Sequence, residues 1–204
     1  MLDYSNLIKE HGINVKGLIH IGAFYGQEKN VYNNLGINNV VWIEANPNYE
    51  EIIKNNVGDD LVIISGVGNK NEILEFNIAN NGQSSSFLEF GTHLDEHPNI
   101  NFTGKIKIES KRMSSIIEEY NLGINEYNFL NIDVQGYELE VLKGFDDLLI
   151  NFDYISSEVN EKELYKDCPL ISEIDDYLNK FGFIRVATNM TSHGWGDAFY
   201  IKKI

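Results

Sequence analysis

Glu44 and the loop Gly22-Ala23-Phe24-Tyr25-Gly26, which begins 22 residues before it, are the first features with chemistry in them. A glycine closing an apolar run lets the backbone turn sharply and come close to a ligand, and a following helix offers unpaired N–H groups. An acidic side chain about 20 residues further on, at the end of the next apolar run, can accept hydrogen bonds from both hydroxyls of a ribose. Ala45 and Asn46 adjoin it. Together these features point to a nucleoside. A dinucleotide is disfavoured, because Ala23 and Phe24 stand where a second glycine would let a pyrophosphate approach. Two further carboxylates, Asp133 and Glu158, each close an apolar run, and either could orient an acceptor group or take its proton.

Each of these residues needs an element to hold it. Gly17 to Gly22 is a short apolar run ended by glycine, and Gly26 to Leu35 carries Val31, Tyr32 and Leu35 at helical spacing. Val40 to Glu44 is a second strand; Asn46 as cap and Pro47 at the first helical position then lead a helix with Tyr49, Ile52 and Ile53 on one face. Leu61 to Ser65 makes a third strand, with Gly66 and Val67 just beyond its end. Residues 73–78 and 105–108 read as exposed strands around an insertion or active-site loop from Asn80 to Thr103. Helix 114–120, strand 129–133, a helix through Leu139, Leu142, Phe145 and Leu149, and strand 154–158 follow. A stripe from Leu170 to Phe181 is ended by Gly182, and two strands near 183–188 and 197–202 finish the chain. Strands alternating with amphipathic helices predict a single doubly wound α/β domain over 1–204, mostly parallel, with an antiparallel last strand. In such a sheet ligands bind beyond the carboxyl ends of the strands, where the residues singled out above lie.

The 204 residues carry 31 acidic and 16 basic side chains, a net charge of −15. That surface repels phosphate backbones and anionic lipid, so nucleic acid is disfavoured as a partner. Neutral or cationic small molecules, or a sugar on a larger molecule, fit it better. Lys105, Lys107, Lys111 and Arg112 read as a solvated strand edge. Cys168 is the single cysteine, so neither an intrachain disulfide nor a thiolate zinc cluster is possible. With no apolar run of about 20 residues and no basic leader, the expected setting is cytoplasmic and away from membranes.

A ligand with a ribose and adenine but no phosphates, such as S-adenosylmethionine, needs less of a phosphate cradle than a dinucleotide does. Three segments, IHIGAFYGQE, VVWIEANP and FLNIDVQGYELEVLKG, in this order and spacing, resemble the FkbM family of methyltransferases. The likeness runs from His20 to beyond Glu158. It implies S-adenosylmethionine as cofactor and a hydroxyl of a sugar or other small molecule as acceptor. It further implies that Gly22, Ala23 and Gly26, with Phe24 between them, surround the methionine part. Glu44 would hold the ribose, Val67 and Gly66 would lie by the adenine, and Asp133 would lie near the sulfonium. The chain departs from the family where a lysine commonly precedes and a glutamate follows the aspartate: here stand Asn131 and Gln135. His20 occupies a common aspartate position and reads as a hydrogen-bonded residue of a buried strand, behind the cofactor contacts.

Methyl transfer is an in-line displacement, so alignment supplies much of the rate and a base matters only for a weakly acidic hydroxyl. Asp133 is the preferred base and Glu158 its partner. Ser84, Ser85, Gln135 and Trp195 are candidate acceptor contacts, and His93, His97 and Asp197 fall in loops able to cover the site. Asp133, Glu158 and Asp197 could alternatively hold magnesium, but their spacing does not bring them together, and no metal is the default. Competing readings are a cofactor-binding module without catalysis, an RNA ribose methyltransferase and, last, a nicotinamide oxidoreductase. The oligomeric state and the acceptor are not legible.

Overall fold

The computed structural model describes residues 2–203. Its main sheet has seven strands: β1 (Leu18–Ile21), β2 (Val40–Glu44), β3 (Leu61–Ile64), β7 (Phe129–Ile132), β8 (Tyr154–Asn160), β9 (Phe183–Met190) and β10 (Trp195–Lys202). Their spatial order is β3-β2-β1-β7-β8-β10-β9, with β10 antiparallel to both neighbours and the remaining pairs parallel. The expected doubly wound, mostly parallel sheet with an antiparallel last strand is therefore the observed one.

Side chains alternate across a strand, so β1 sends Ile19 and Ile21 to one face and Leu18 and His20 to the other. Because both sets are buried, both faces need cover. Helices α5 (Met113–Tyr120), α6 (Glu138–Phe145) and α7 (Ile171–Asn179) bury Met113, Ile116, Val141, Leu142, Ile174 and Leu178 against the first face. On the second lie α1 (Tyr4–His11), α2 (Lys29–Asn34) and α3 (Glu50–Val57), contributing Tyr4, Leu7, Tyr32, Ile53 and Val57. Asn46 accepts from Asn48 N–H and so caps the 3-10 turn Pro47–Tyr49 that leads into α3. Val31 and Ile52, placed on buried faces by periodicity, are exposed, and helix α1 was not anticipated.

A second sheet branches off after β3. It comprises β4 (Gly66–Val67), β5 (Glu72–Ala79) and β6 (Phe102–Lys111), with β5 and β6 antiparallel. The intervening segment, 80–101, is more ordered than a plain loop. It contains α4 (His93–Glu96), is fastened to the stretch after β8 by Gly91 N–H to Leu164 C=O (2.7 Å), and buries Phe90 beside Leu164, Tyr165 and Cys168. This places the insertion over the carboxyl ends of the central strands.

Candidate active site

Under the insertion lies a cavity of about 350 Å³, within the range of small-molecule sites. It runs along the carboxyl ends of β2, β1, β7 and β8 to the amino end of the antiparallel β10. Gly22, Ala23, Phe24, Glu44, Ala45 and Val67 line one end; Asp133, Gln135, Glu158, Asp197 and Trp195 line the other, with Ser84 and Ser85 on the insertion side.

The first end is held by close backbone contacts. Gly22 has φ +89°, and a Cβ there would sit 1.7 Å from the Asp133 carbonyl oxygen, so only glycine allows β1 and β7 to end side by side. Gly22 N–H and Ala23 N–H both donate to Ile43 C=O (2.9 and 3.1 Å). Glu44 Oε2 accepts from Phe24 N–H (2.8 Å) and Oε1 from Asn46 N–H (2.7 Å). Burial pushes the Glu44 pKa up to about 7, although these backbone donors pull it down. The carboxylate is thus held by the two loops it joins, with lone pairs left for a ligand's hydroxyls.

The second end is built around Gln135. Its backbone takes φ +56°, and its Nε2 donates to both Asp133 Oδ1 (2.8 Å) and Glu158 Oε2 (2.9 Å). Its Oε1 accepts from Tyr165 O–H (2.8 Å), and its carbonyl accepts from Ser86 O–H (2.7 Å). Gln135 is therefore a bridge between the two carboxyl groups, with both ends of its amide engaged. Below it, Glu138 Oε1 accepts from Val134 N–H (3.2 Å) and Gly136 N–H (3.0 Å), which holds the turn. Burial pushes the Glu138 pKa up to about 7. Asp133 is exposed to the lumen but walled in by protein, and this desolvation raises its pKa. Glu158 is raised further, by burial and then by the charge of Asp133. The two carboxyl groups titrate as a pair, with Glu158 the more strongly raised.

Several residues singled out in the sequence stand outside the lumen. Gly26 also has positive φ, but a Cβ there would meet Val57 Cγ1 at 2.6 Å, so its smallness serves helix packing. Asn46 caps, and Gly66 packs against Phe87. His20 is 2% exposed, stacks on Trp42 at 5.0 Å and contacts Tyr32 Oη through Nδ1 (3.1 Å) and Asn131 Nδ2 through Nε2 (3.2 Å). Asn131 Oδ1 in turn accepts from Tyr4 O–H (3.2 Å), which lies 2.9 Å from Ser156 Oγ. Asn131 as donor leaves His20 Nε2 the acceptor and Nδ1 protonated. Burial pushes the His20 pKa down to about 4, which keeps the imidazole neutral. His20 and Asn131, two separate departures in the sequence, are thus one neutral pair behind the cavity.

Ser84 and Ser85 line the lumen, but the Ser85 hydroxyl already donates to Gly82 C=O and accepts from Ala79 N–H. Sequence reasoning missed Glu28, Tyr49, Tyr137, Leu164 and Tyr165 as lining residues. The stretch after β8 holding Leu164 and Tyr165 follows a strand's carboxyl end, which is the signal that could have found them. Among the described residues no group of three or more His, Cys, Asp or Glu side chains is arranged to hold a metal ion.

The strand order β3-β2-β1-β7-β8-β10-β9 and the cradle at the end of β1 define a class I methyltransferase fold. The chain belongs to the FkbM methyltransferase family: the model of the methyltransferase FkbM domain matches residues 20–185. Among named relatives, 2-O-methyltransferase NoeI of Sinorhizobium fredii is 29% identical over 101 residues, 50% of this chain and 41% of that protein. Methyltransferase sdnD of Sordaria araneosa is 31% identical over 84 residues, 38% of this chain and 29% of that protein. The chain thus spans less than half the length of these curated relatives. Magnesium protoporphyrin IX methyltransferase (ChlM) of Synechocystis PCC 6803, solved with bound S-adenosylhomocysteine, superposes with a TM-score of 0.52 at 8% identity, covering 98% of this chain and 80% of that one. TrmK of M. capricolum, solved with the same product, gives 0.50 at 9% identity, covering 100% and 69%. At such identities the likeness speaks to the fold alone. The cofactor of this family and fold is S-adenosylmethionine, and the cradle fits it: a close backbone approach at Gly22, a pre-positioned hydroxyl acceptor at Glu44, and carboxyl groups but no Lys or Arg along the described lining to meet a sulfonium.

Proposed function

We propose that the chain acts as one S-adenosylmethionine-dependent O-methyltransferase domain, methylating a hydroxyl of a sugar or other small acceptor. The observation that carries this reading is one continuous cavity, with the backbone-held Glu44 at one end and the Gln135-bridged Asp133 and Glu158 at the other. When bound there, S-adenosylmethionine would supply an electrophilic methyl group on its sulfonium, with the thioether S-adenosylhomocysteine as leaving group. Glu44 binds the ribose hydroxyls, with Gly22, Ala23, Phe24 and Ala45 against the methionine and ribose parts and Val67 against the adenine. Asp133, fixed by Gln135, accepts the acceptor's hydroxyl proton as the new C–O bond forms, and Glu158 holds the acceptor by a hydrogen bond from its own proton. Trp195 and the Ser84 region border the acceptor.

An RNA acceptor is disfavoured by the charges. Lys105 pairs with Glu89 (2.7 Å), Lys111 with Glu119 (2.6 Å) and Arg112 with Asp146 (2.9 Å), so three of the four basic residues of that strand edge are already matched by carboxylates. The NoeI match, a 2-O-methyltransferase by name, agrees with a hydroxyl acceptor. The test is production of S-adenosylhomocysteine on a panel of hydroxylated sugars, beside titration of the cofactor itself. Turnover that is lost in Asp133→Asn while cofactor binding persists supports the reading. Absence of cofactor binding overturns it.

A further inference from the structure

We propose that Tyr165 is a positioning residue: its hydroxyl holds the Gln135 amide between Asp133 and Glu158, so that the insertion, which seats Tyr165, also sets the bridge at the acceptor end; this rests on the methyl-transfer reading above. A glutamine amide has two hydrogens and one carbonyl oxygen to place. Both hydrogens of Gln135 go to the carboxyl groups, at 2.8 Å on Asp133 Oδ1 and 2.9 Å on Glu158 Oε2. On the far side Tyr165 O–H donates to Oε1 at 2.8 Å, with Ser84 C=O, 3.2 Å from the same hydroxyl, its more distant acceptor. A hydrogen bond onto an amide oxygen polarises the amide and makes its N–H groups better donors, so Tyr165 acts on both carboxyl groups through Gln135.

The fold leaves Tyr165 little freedom. It is 2% exposed and forms an antiparallel bridge with Phe90 of the insertion. Gly91 N–H to Leu164 C=O (2.7 Å) and Lys166 N–H to Glu89 C=O (2.8 Å) fasten the chain on either side of it. Its ring packs against Gly136, where a Cβ would come within 3.1 Å of Tyr165 Cβ and Cδ2, so glycine lets the ring close on the turn that carries Gln135. The same turn is tied to the insertion by Ser86 O–H, which donates to the Gln135 carbonyl (2.7 Å). Burial, and then the charge of Glu158, keep the phenol pKa well above its ordinary value, so the hydroxyl stays a donor. Hydrogen bonds donated to a carboxyl group favour its ionised form, and loosening the amide therefore makes the pair hold protons to higher pH. Glu138, Asp197, His20 and Glu28 also act on the pair, and the His93 ring lies 5.5 Å from that of Tyr165. All of these are common to parent and variants, so a difference between them reports the hydroxyl.

The test compares affinities for S-adenosylmethionine and S-adenosylhomocysteine, which differ by the charge on sulfur, by isothermal titration between about pH 6 and about pH 9. The preference for the sulfonium reads the charge of the pair. Tyr165→Phe is expected to cut that preference at least about three-fold near pH 7, with recovery toward about pH 9. A tyrosine fluorinated beside its hydroxyl, placed at position 165, is a stronger donor of nearly the same size and is expected to move the preference the other way; it keeps the test open if Tyr165→Phe does not fold. In a Gln135→Leu background, Tyr165→Phe is expected to change the preference no further, because its effect runs through the amide. An unchanged preference in both Tyr165 variants, a loss of the same size at every pH, or a full Tyr165 effect in the Gln135→Leu background overturns the proposal. If the parent binds neither ligand, the methyl-transfer reading fails, and NMR titration of the Asp133 and Glu158 carboxyl carbons in cofactor-free parent and Tyr165→Phe decides the positioning role: an upward move in the variant supports it, and coincident titrations overturn it.

Discussion

At the scale of single residues, Glu44 is the side chain on which cofactor affinity should turn. Two hydrogen bonds from hydroxyls to a charged acceptor are at stake, so Glu44→Ala is expected to weaken S-adenosylmethionine binding roughly 10- to 100-fold by isothermal titration. An unchanged Kd would remove Glu44 from the site. Because the ionised form is the better acceptor, affinity should also fall as the pH drops below about 7, where Glu44 takes up a proton. Asn131 belongs to stability instead. Asn131→Ala strips partners from His20 Nε2 and Tyr4 Oη in a buried network, and a loss of about 1–3 kcal/mol in urea unfolding is expected, with cofactor affinity little altered. A variant as stable as the parent would show that water replaces the missing amide.

At the scale of elements, the turn between β7 and α6 decides whether the two carboxyl groups are in place. Gln135 holds a left-handed backbone conformation that Glu138 sustains by accepting the N–H groups on either side. Glu138→Ala leaves both donors unpaired beneath the cavity, with an expected loss of about 1–3 kcal/mol and of most turnover. Glu138→Gln keeps an acceptor oxygen and should retain the fold near neutral pH. Comparing melting temperatures of the two variants separates the hydrogen bonds from the charge; equal losses would mean that the charge itself is required. The glycine turn, the acidic residue closing β2 and the motif around α6 were all legible before the fold was known, because their types carry their reasons. Helix α1 was not. Its eight residues, capped by Asp3, are held by packing of Tyr4 and Leu7 rather than by a long apolar stripe.

At the scale of the whole molecule, buried acids and a net charge of −15 act in the same direction. Glu44 and Glu138 have folded-state pKa values raised from 4.5 to about 7, so the native state binds more protons than the unfolded chain, and stability falls as pH rises through that region. His20 and His93 work in the opposite sense, since their pKa values are lowered from 6.5 to about 4, but their effect lies below 6.5. The melting temperature is therefore expected to rise by a few degrees when the pH is lowered from about 8 to 6.5, and less in a Glu44→Gln, Glu138→Gln double variant. A melting temperature that increases with pH across this window would contradict the assignment of those burials.

Read without its structure, the chain gives the doubly wound fold, gives the cofactor through its resemblance to the FkbM family, and singles out Glu44, Asp133 and Glu158 as candidate acids at strand ends. Apolar periodicity and strand-end residues are local properties, and local chemistry is enough to read them. Tertiary structure alone decided what each polar residue faces. Gln135 and Asn131 look alike in sequence as neutral replacements for charges, yet one spans two carboxyl groups in the cavity and the other faces α1 across the sheet. Gly22 and Gly26 look alike too, and one meets the backbone at Asp133 while the other meets a helix. The convergence of Asp133, Glu158 and Asp197 depends on β10 returning antiparallel beside β8, a pairing between residues far apart in the chain that no local pattern encodes.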